Sequence, residues 1–198
     1  MLNRHNLPQQ NGTSLVEVMV TLAILSFSLL GIAALQSKIG TAEMESYQRA
    51  QALVALSQMT ERMSANLANA PAYVTGPGNP VGTGDAQPAD CVGAGLTGAA
   101  LDLCEWSNTL KGAGETAGAA NVGAMMSGRG CVEQVQPAVF TLGNCQVGIY
   151  RVSVVWQGMA PTAAPNANVA CGAGLYGAND GNRRLISATV SWPTTTCY

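Results

Sequence analysis

Residues 12–35 read Gly12-Thr13-Ser14-Leu15-Val16-Glu17 and then Val18-Met19-Val20-Thr21-Leu22-Ala23-Ile24-Leu25-Ser26-Phe27-Ser28-Leu29-Leu30-Gly31-Ile32-Ala33-Ala34-Leu35, with Glu17 the one charge in the stretch. The uncharged run from Val18 to Leu35 has 18 residues. At about 1.5 Å per residue it makes a helix of about 27 Å, close to the hydrocarbon thickness of a bilayer. A membrane span is the first reading. A carboxylate at mid-bilayer costs about 2.5–3.5 kcal/mol on insertion scales, so Glu17 asks for a partner and a function. Ser14-x-x-Glu17 also has the form of a helix capping box, in which serine and glutamate satisfy each other's orphan amides. Capping alone requires neither the Gly12 boundary nor the apolar run. A secretory signal would end at a small-residue cleavage site after its apolar region, whereas Ala33-Ala34-Leu35 continues into more helical sequence.

Upstream, Met1 to Asn11 hold a proline, two glutamines, three asparagines and one arginine, a polar leader and not a folded element. Gly12 followed by Thr13-Ser14-Leu15-Val16-Glu17 and a hydrophobic helix resembles the class III signal of type IV prepilins and pseudopilins. In that family a membrane-embedded aspartyl peptidase cuts after the glycine on the cytoplasmic side. The resemblance implies cleavage between Gly12 and Thr13, N-methylation of Thr13, and an assembly ion pair made by Glu17, the fifth mature residue. Thr13 departs from the phenylalanine or methionine that most often begins the mature chain. Arg4 and the amino terminus against Lys38 give a weak positive-inside signal. Orientation therefore comes from the resemblance, which implies a single pass through the inner membrane with the bulk of the chain in the periplasm, and later a place on the pilus or cell surface. The expected division is a leader over 1–12, a transmembrane and assembly helix over 13–36, and a periplasmic domain over 37–198.

Removing 12 of 198 residues leaves 186, enough for one anchor and one small domain. Only 10% of residues are charged and 23 are glycine, too apolar for a disordered chain and too glycine-rich for a helical bundle. Loss of Arg4 takes the 9 basic residues to 8 against 11 acidic ones, a formal charge of −3. That balance offers no basic face for nucleic acid. The 6 cysteines, Cys91, Cys104, Cys131, Cys145, Cys171 and Cys197, all follow the apolar stretch, which points to disulfides in an oxidising compartment. No C-x-x-C pair occurs, and the 1 histidine, His5, lies in the leader, so no metal site is expected. Sequence does not select the connectivity. Joining near neighbours gives Cys91 with Cys104, Cys131 with Cys145, and Cys171 with Cys197.

The helical pattern continues beyond Leu35. Leu35, Ile39, Ala42, Ser46, Ala50, Leu53, Leu56, Thr60, Met63 and Leu67 recur at spacings of three and four, with charges off that stripe. A helix from Thr13 to about Asn69 is expected, ended by Asn69-Ala70-Pro71. Glycine and proline then punctuate 71–130, apart from a short helix over Asp102 to Leu110 with Leu103, Trp106 and Leu110 on one face and Trp106 as a buried anchor. From Cys131 the period becomes two. Strands are expected over Val132 to Gln136, Ala138 to Leu142, Val147 to Gln157 and Arg184 to Trp192. Tyr150, Val152, Val154 and Trp156 share one side, as do Ile186, Ala188, Val190 and Trp192, which predicts an antiparallel sheet with one face covered by the amphipathic half of the helix. Residues 158–183 are expected to form a long loop held by a disulfide.

Long helix, cysteine-bearing loop, antiparallel sheet and terminal cysteine, in that order, resemble the α+β pilin fold over the whole mature chain. Asp102-Leu103-x-Glu105-Trp106, Gly128-x-Gly130-Cys131-Val132, Val154-Val155-Trp156-Gln157-Gly158 and Arg183-Arg184 look like segments of minor pilins of the type IV pilus, and pseudopilins of type II secretion share the plan. The resemblance implies a structural subunit without cofactors, working with other minor pilins, the major pilin, a tip adhesin, the prepilin peptidase/N-methyltransferase and the inner membrane. A catalytic reading lacks a histidine after cleavage. Asp102 and Glu105 read as a solvated helix face, and Arg183 with Arg184 are too few for tracking phosphates. Asn179-Asp180-Gly181-Asn182 reads as a turn between strands, with calcium ligation the weaker alternative. A membrane-tethered enzyme and a DNA-uptake pilin are the remaining function classes.

Overall fold

The computed structural model describes residues 12, 14–114, 116–118, 120–121, 123, 125–141 and 144–191, without the side chains of 116–117, 120–121 and 144–145. They fall into two compact units, Met1–Glu43 and Met44–Tyr198. Helix α1, Leu15–Ala65, contributes to both. In the first unit its side chains are exposed, as an apolar helix is when its surroundings are lipid or other helices rather than its own domain.

The second unit is α+β. After α1 come a 3-10 segment, Leu67–Tyr73, that runs through Pro71, and then strand β1, Val81–Gly82. Helix α2, Gly98–Leu110, is followed by a small hairpin of β2, Thr116–Ala117, and β3, Ala120–Asn121. Strand β4 is Arg129–Gln136, β5 and β6 (Val139–Thr141 and Asn144–Gln146) form a second hairpin, β7 is Ile149–Gln157 and β8 is Arg183–Ser191. The main sheet has the order β1-β4-β7-β8 with every neighbour antiparallel. Its register sets Gly130 opposite Val154 and Ser153 opposite Ser187, and shifts between Gln134 and Gln136. β1, β2 and β3 were not legible as strands; each is two residues held by its partner rather than by any period of its own.

The helix face that meets the sheet coincides with the predicted stripe only at Leu56 and Met63, with Leu67 packed beside them. Gln48, Ala52, Ala55, Leu56, Met59 and Met63 are buried, while Leu53 and Val54 are 52% and 53% exposed. The reason is steric. Alanines at 52 and 55 let the backbone of α1 come close enough for the Trp106 indole Nε1 of α2 to donate a 2.8 Å hydrogen bond to the Ala55 carbonyl. A helical carbonyl already accepts within its helix, and its second lone pair satisfies the one polar atom of a tryptophan that is 1% exposed. The other face of that ring lies against β4 at Gly130, where a Cβ would fall 2.2 Å from Trp106 Cη2. Tyr73, Leu110, Val132, Tyr150, Val152, Val154 and Trp156 complete this core.

The opposite face of the sheet is covered too, which corrects the expectation of one covered face. Cys131, Val155, Cys171 and Tyr176, with Leu185 beside them, form a second cluster where the 158–182 loop folds back. Val152 through Trp156 are consequently all buried, and alternation along β7 is lost. The expected α2, β4, β7 and β8 all exist, displaced at their ends; Trp192 lies outside the described residues.

Replacing Gly130 with alanine drives a methyl into the Trp106 ring, and is expected to destabilise the domain by about 1–3 kcal/mol, the usual cost of overpacking. Urea unfolding of the full chain in detergent, followed by tryptophan fluorescence, measures it.

Candidate functional site

The first candidate site is the start of α1. Ser14 stands just before the first helical residue and caps it: its hydroxyl accepts from the Val16 N–H at 3.3 Å, and its carbonyl accepts from the amides of Glu17 and Val18 at 3.0 and 3.2 Å. The hydroxyl caps the second helical amide and not that of Glu17, the third, which a capping box requires. The Glu17 carboxylate is exposed and has no hydrogen-bond or ion-pair partner among the described residues. Gly12 is exposed, and Thr13 lies outside the described residues. Threonine and serine hydroxyls further along α1 turn inward: Thr21, Ser26 and Ser28 each donate to the carbonyl three or four residues back, so their polar atoms are satisfied by the helix itself. One helix among the described residues, α1, is long and apolar enough to cross a membrane.

Residues 7–33 match the family model of the prokaryotic N-terminal methylation motif. The start of the chain therefore carries a prokaryotic N-terminal methylation motif. No curated protein and no solved structure matches the chain. The motif supports a type IV pilin-like protein, of a pilus or a pseudopilus, and points to a structural subunit rather than an enzyme. Together with the long apolar helix it fits a membrane-anchored pilin.

The remaining sequence candidates lie in the second unit. Cys91 pairs with Cys104, joining the loop before α2 to α2. Cys131 pairs with Cys171 across 40 residues, so neither the expected Cys131–Cys145 nor the expected Cys171–Cys197 pairing forms. The correction has a topological cause: Cys131 on β4 points to the sheet face that the 158–182 loop covers, so its neighbour in space comes from that loop and not from the next strand. The Cys145 side chain and Cys197 lie outside the described residues.

Asp102 and Glu105 are not merely a solvated face. The Arg62 guanidinium of α1 reaches Asp102 Oδ1 at 2.8 Å and Glu105 Oε2 at 2.6 Å, and the Tyr73 hydroxyl donates to Asp102 Oδ2 at 2.5 Å. Burial raises the Tyr73 hydroxyl above its usual range, and the neighbouring Asp102 carboxylate adds to the effect. Arg183 is not a surface cation either. It is 3% exposed, and its Nη1 donates to the carbonyls of Val169 and Cys171 at 2.9 Å each while Nε lies 3.3 Å from Asp180 Oδ2. Asp180 also accepts from the Gly174 N–H, so the Asn179-Asp180-Gly181-Asn182 turn is organised around a guanidinium. Arg184 binds Glu45 of α1 at 3.1 Å, the Thr162 hydroxyl and the Ala160 carbonyl.

Asp85 was missed by sequence reading, since a lone aspartate in a Gly-rich loop carries no pattern. Its two oxygens accept from the Gly82 and Gln87 amides and the Ser107 hydroxyl, and it pairs with the Lys111 ammonium at 2.5 Å. Burial by itself would raise this carboxyl; Lys111, Gly82, Ser107 and Gln87 outweigh it and hold it below the usual carboxylate range. A depressed folded value means that stability from Asp85 is fully present above its unfolded value of about 3.9 and is lost as pH falls through the folded value.

Peptide mapping of the unreduced protein is expected to join Cys91 to Cys104 and Cys131 to Cys171; a Cys131-to-Cys145 peptide would refute the loop closure. Asp85→Asn is expected to cost about 1–3 kcal/mol at neutral pH, with the gap to the wild type narrowing below about pH 4. Urea unfolding at a series of pH values reads both.

Proposed function

We propose that this chain is a minor pilin of the type IV pilus, a structural subunit that primes or caps the filament and helps place other minor pilins or a tip adhesin. The observation that carries this is the methylation motif over residues 7–33 on an exposed apolar helix. Cleavage falls between Gly12 and Thr13, freeing the Thr13 amine, which is then methylated. While the subunit waits in the inner membrane, lipid solvates α1; on assembly the same apolar surface packs against neighbouring helices. Glu17 has no partner among the described residues of its own chain, and an unpaired carboxylate in an apolar medium is costly. The proposed partner is the Thr13 amine of an adjacent subunit, which sets the register of one helix against the next. Such a pair tolerates no slip of a helical turn, because a 5.4 Å displacement leaves two charges unsatisfied.

Within this reading, the segments around Asp102, Gly130, Trp156 and Arg183 resemble PilV, the type IV pilus modification protein. In the fold Trp106 and Gly130 are in contact, Arg62 holds Asp102 and Glu105, and Arg183 anchors the last loop.

Mass spectrometry of the exported protein is expected to give an N-terminus at Thr13, one methyl heavier than the unmodified residue; an intact leader refutes the assignment. Glu17→Ala is expected to leave that processing intact while the subunit is lost from sheared pili. Normal incorporation of the variant would remove Glu17 from the assembly mechanism.

A further inference from the structure

An open cleft of about 720 Å³ lies in the second unit between the 75–87 loop, the start of β4 and the loop before Tyr176. Arg129 stands in it. Its guanidinium carbon is 5.5 Å from the centroid of the Tyr176 ring, and Nη1 donates to the Tyr176 hydroxyl at 3.2 Å and to the Ser127 carbonyl at 3.4 Å. The Tyr176 hydroxyl in turn donates to the Ser127 carbonyl at 2.7 Å, so the ring that supports the guanidinium is itself tied down. One edge of the fork is therefore used. The Nε and Nη2 edge has no partner among the described residues, and no carboxylate among them pairs with Arg129. Nη2 faces Gly84, whose φ of +89° favours glycine and whose missing side chain leaves that edge uncovered.

We propose that this cleft binds a hydroxylated carboxylate, an acidic sugar of the uronic-acid class, through the free edge of Arg129. A planar guanidinium held by stacking presents two parallel N–H donors in the geometry that a carboxylate accepts. Asp85, the one acid in the wall, does not repel it: its oxygens are taken up by Gly82, Gln87 and Ser107, and Lys111 balances its charge. Around Arg129 the cleft offers the amides of Asn79 and Gln87 and the hydroxyl of Thr83, none with a side-chain partner among the described residues. Amide and hydroxyl groups of both donor and acceptor kind suit the hydroxyls of a sugar ring. Leu175, 52% exposed, supplies an apolar ledge for its C–H face. The site is independent of the assembly reading, since it uses none of the residues of α1.

Saturation-transfer NMR on the full chain in detergent micelles tests it, with sodium D-glucuronate as probe and D-glucose and N-acetyl-L-glutamate for comparison. Glucuronate is expected to bind saturably and glucose not. Arg129→Lys, which keeps the charge and loses the fork, is expected to weaken glucuronate by about tenfold. Should that variant melt, Gln87→Ala, a rim residue whose amide makes no described contact, is expected to weaken it severalfold with unchanged thermal unfolding. Absence of saturable glucuronate binding overturns the proposal, as does equal binding of glucose or unchanged affinity in a folded Arg129→Lys. Tighter binding of N-acetyl-L-glutamate than of glucuronate overturns the sugar class in favour of a peptide acid.

Discussion

The domain depends on one close approach, that of the Trp106 indole to the Ala55 carbonyl on one side and to Gly130 on the other. A tryptophan buried between a helix and a sheet must lose its N–H hydration without losing its hydrogen bond. Here the acceptor is a helix carbonyl exposed by alanines, and the ring fits because the strand offers no Cβ. Much of the order of the second unit follows. Residues 52 and 55 are small, β4 enters the sheet at a glycine, and α2 is pinned to α1 again by Arg62, about two turns further along α1. A bulkier face on α1 would separate the layers and strand the indole.

Charges in this chain are few, and the buried ones are spent on holding loops. Arg183 closes carbonyls of the 169–171 segment onto the end of the sheet, where a loop this rich in glycine has little apolar surface of its own. Arg184 ties the adjacent segment to Glu45, which also accepts from the Met159 amide. Asp85 does the same for the 82–87 loop. Each uses a multivalent ion to satisfy several backbone or side-chain groups at once, which offsets desolvation better than a simple pair does. The Cys131–Cys171 disulfide fixes the loop at the point where Val155 and Tyr176 need a cover. Two disulfides of this kind suit an oxidising compartment.

The two units are made on opposite principles. Apolar side chains of α1 in the first unit are exposed, a condition that a helix tolerates only with lipid or other helices around it. In the second unit the exposed face of α1 is mixed, and the buried face is set by what packs on it. A polar capping serine and inward-bonded hydroxyls keep the first unit's helix intact without any help from a domain. That independence is what the proposed passage from membrane to assembly requires.

By itself the sequence determined the fold class, the long apolar helix and the methylation motif at its start. An 18-residue uncharged run after a glycine, with an acid just inside it, states its meaning locally, because hydrophobic length and motif spacing need no tertiary partner. The switch of period from about 3.6 to 2 announced an antiparallel sheet under a helix, and Trp106 was legible as an anchor from its size alone. Only the tertiary structure decided which helix face is buried, since Ala52 and Ala55 matter for the space they leave and not for their hydrophobicity. It alone decided that Cys131 meets Cys171, because connectivity follows the fold of a 25-residue segment between strands and not distance along the chain. The free edge of Arg129 and the occupied ones of Arg183 and Arg184 are the same letters in the sequence; what separates them is which carbonyls and carboxylates the loops bring within reach.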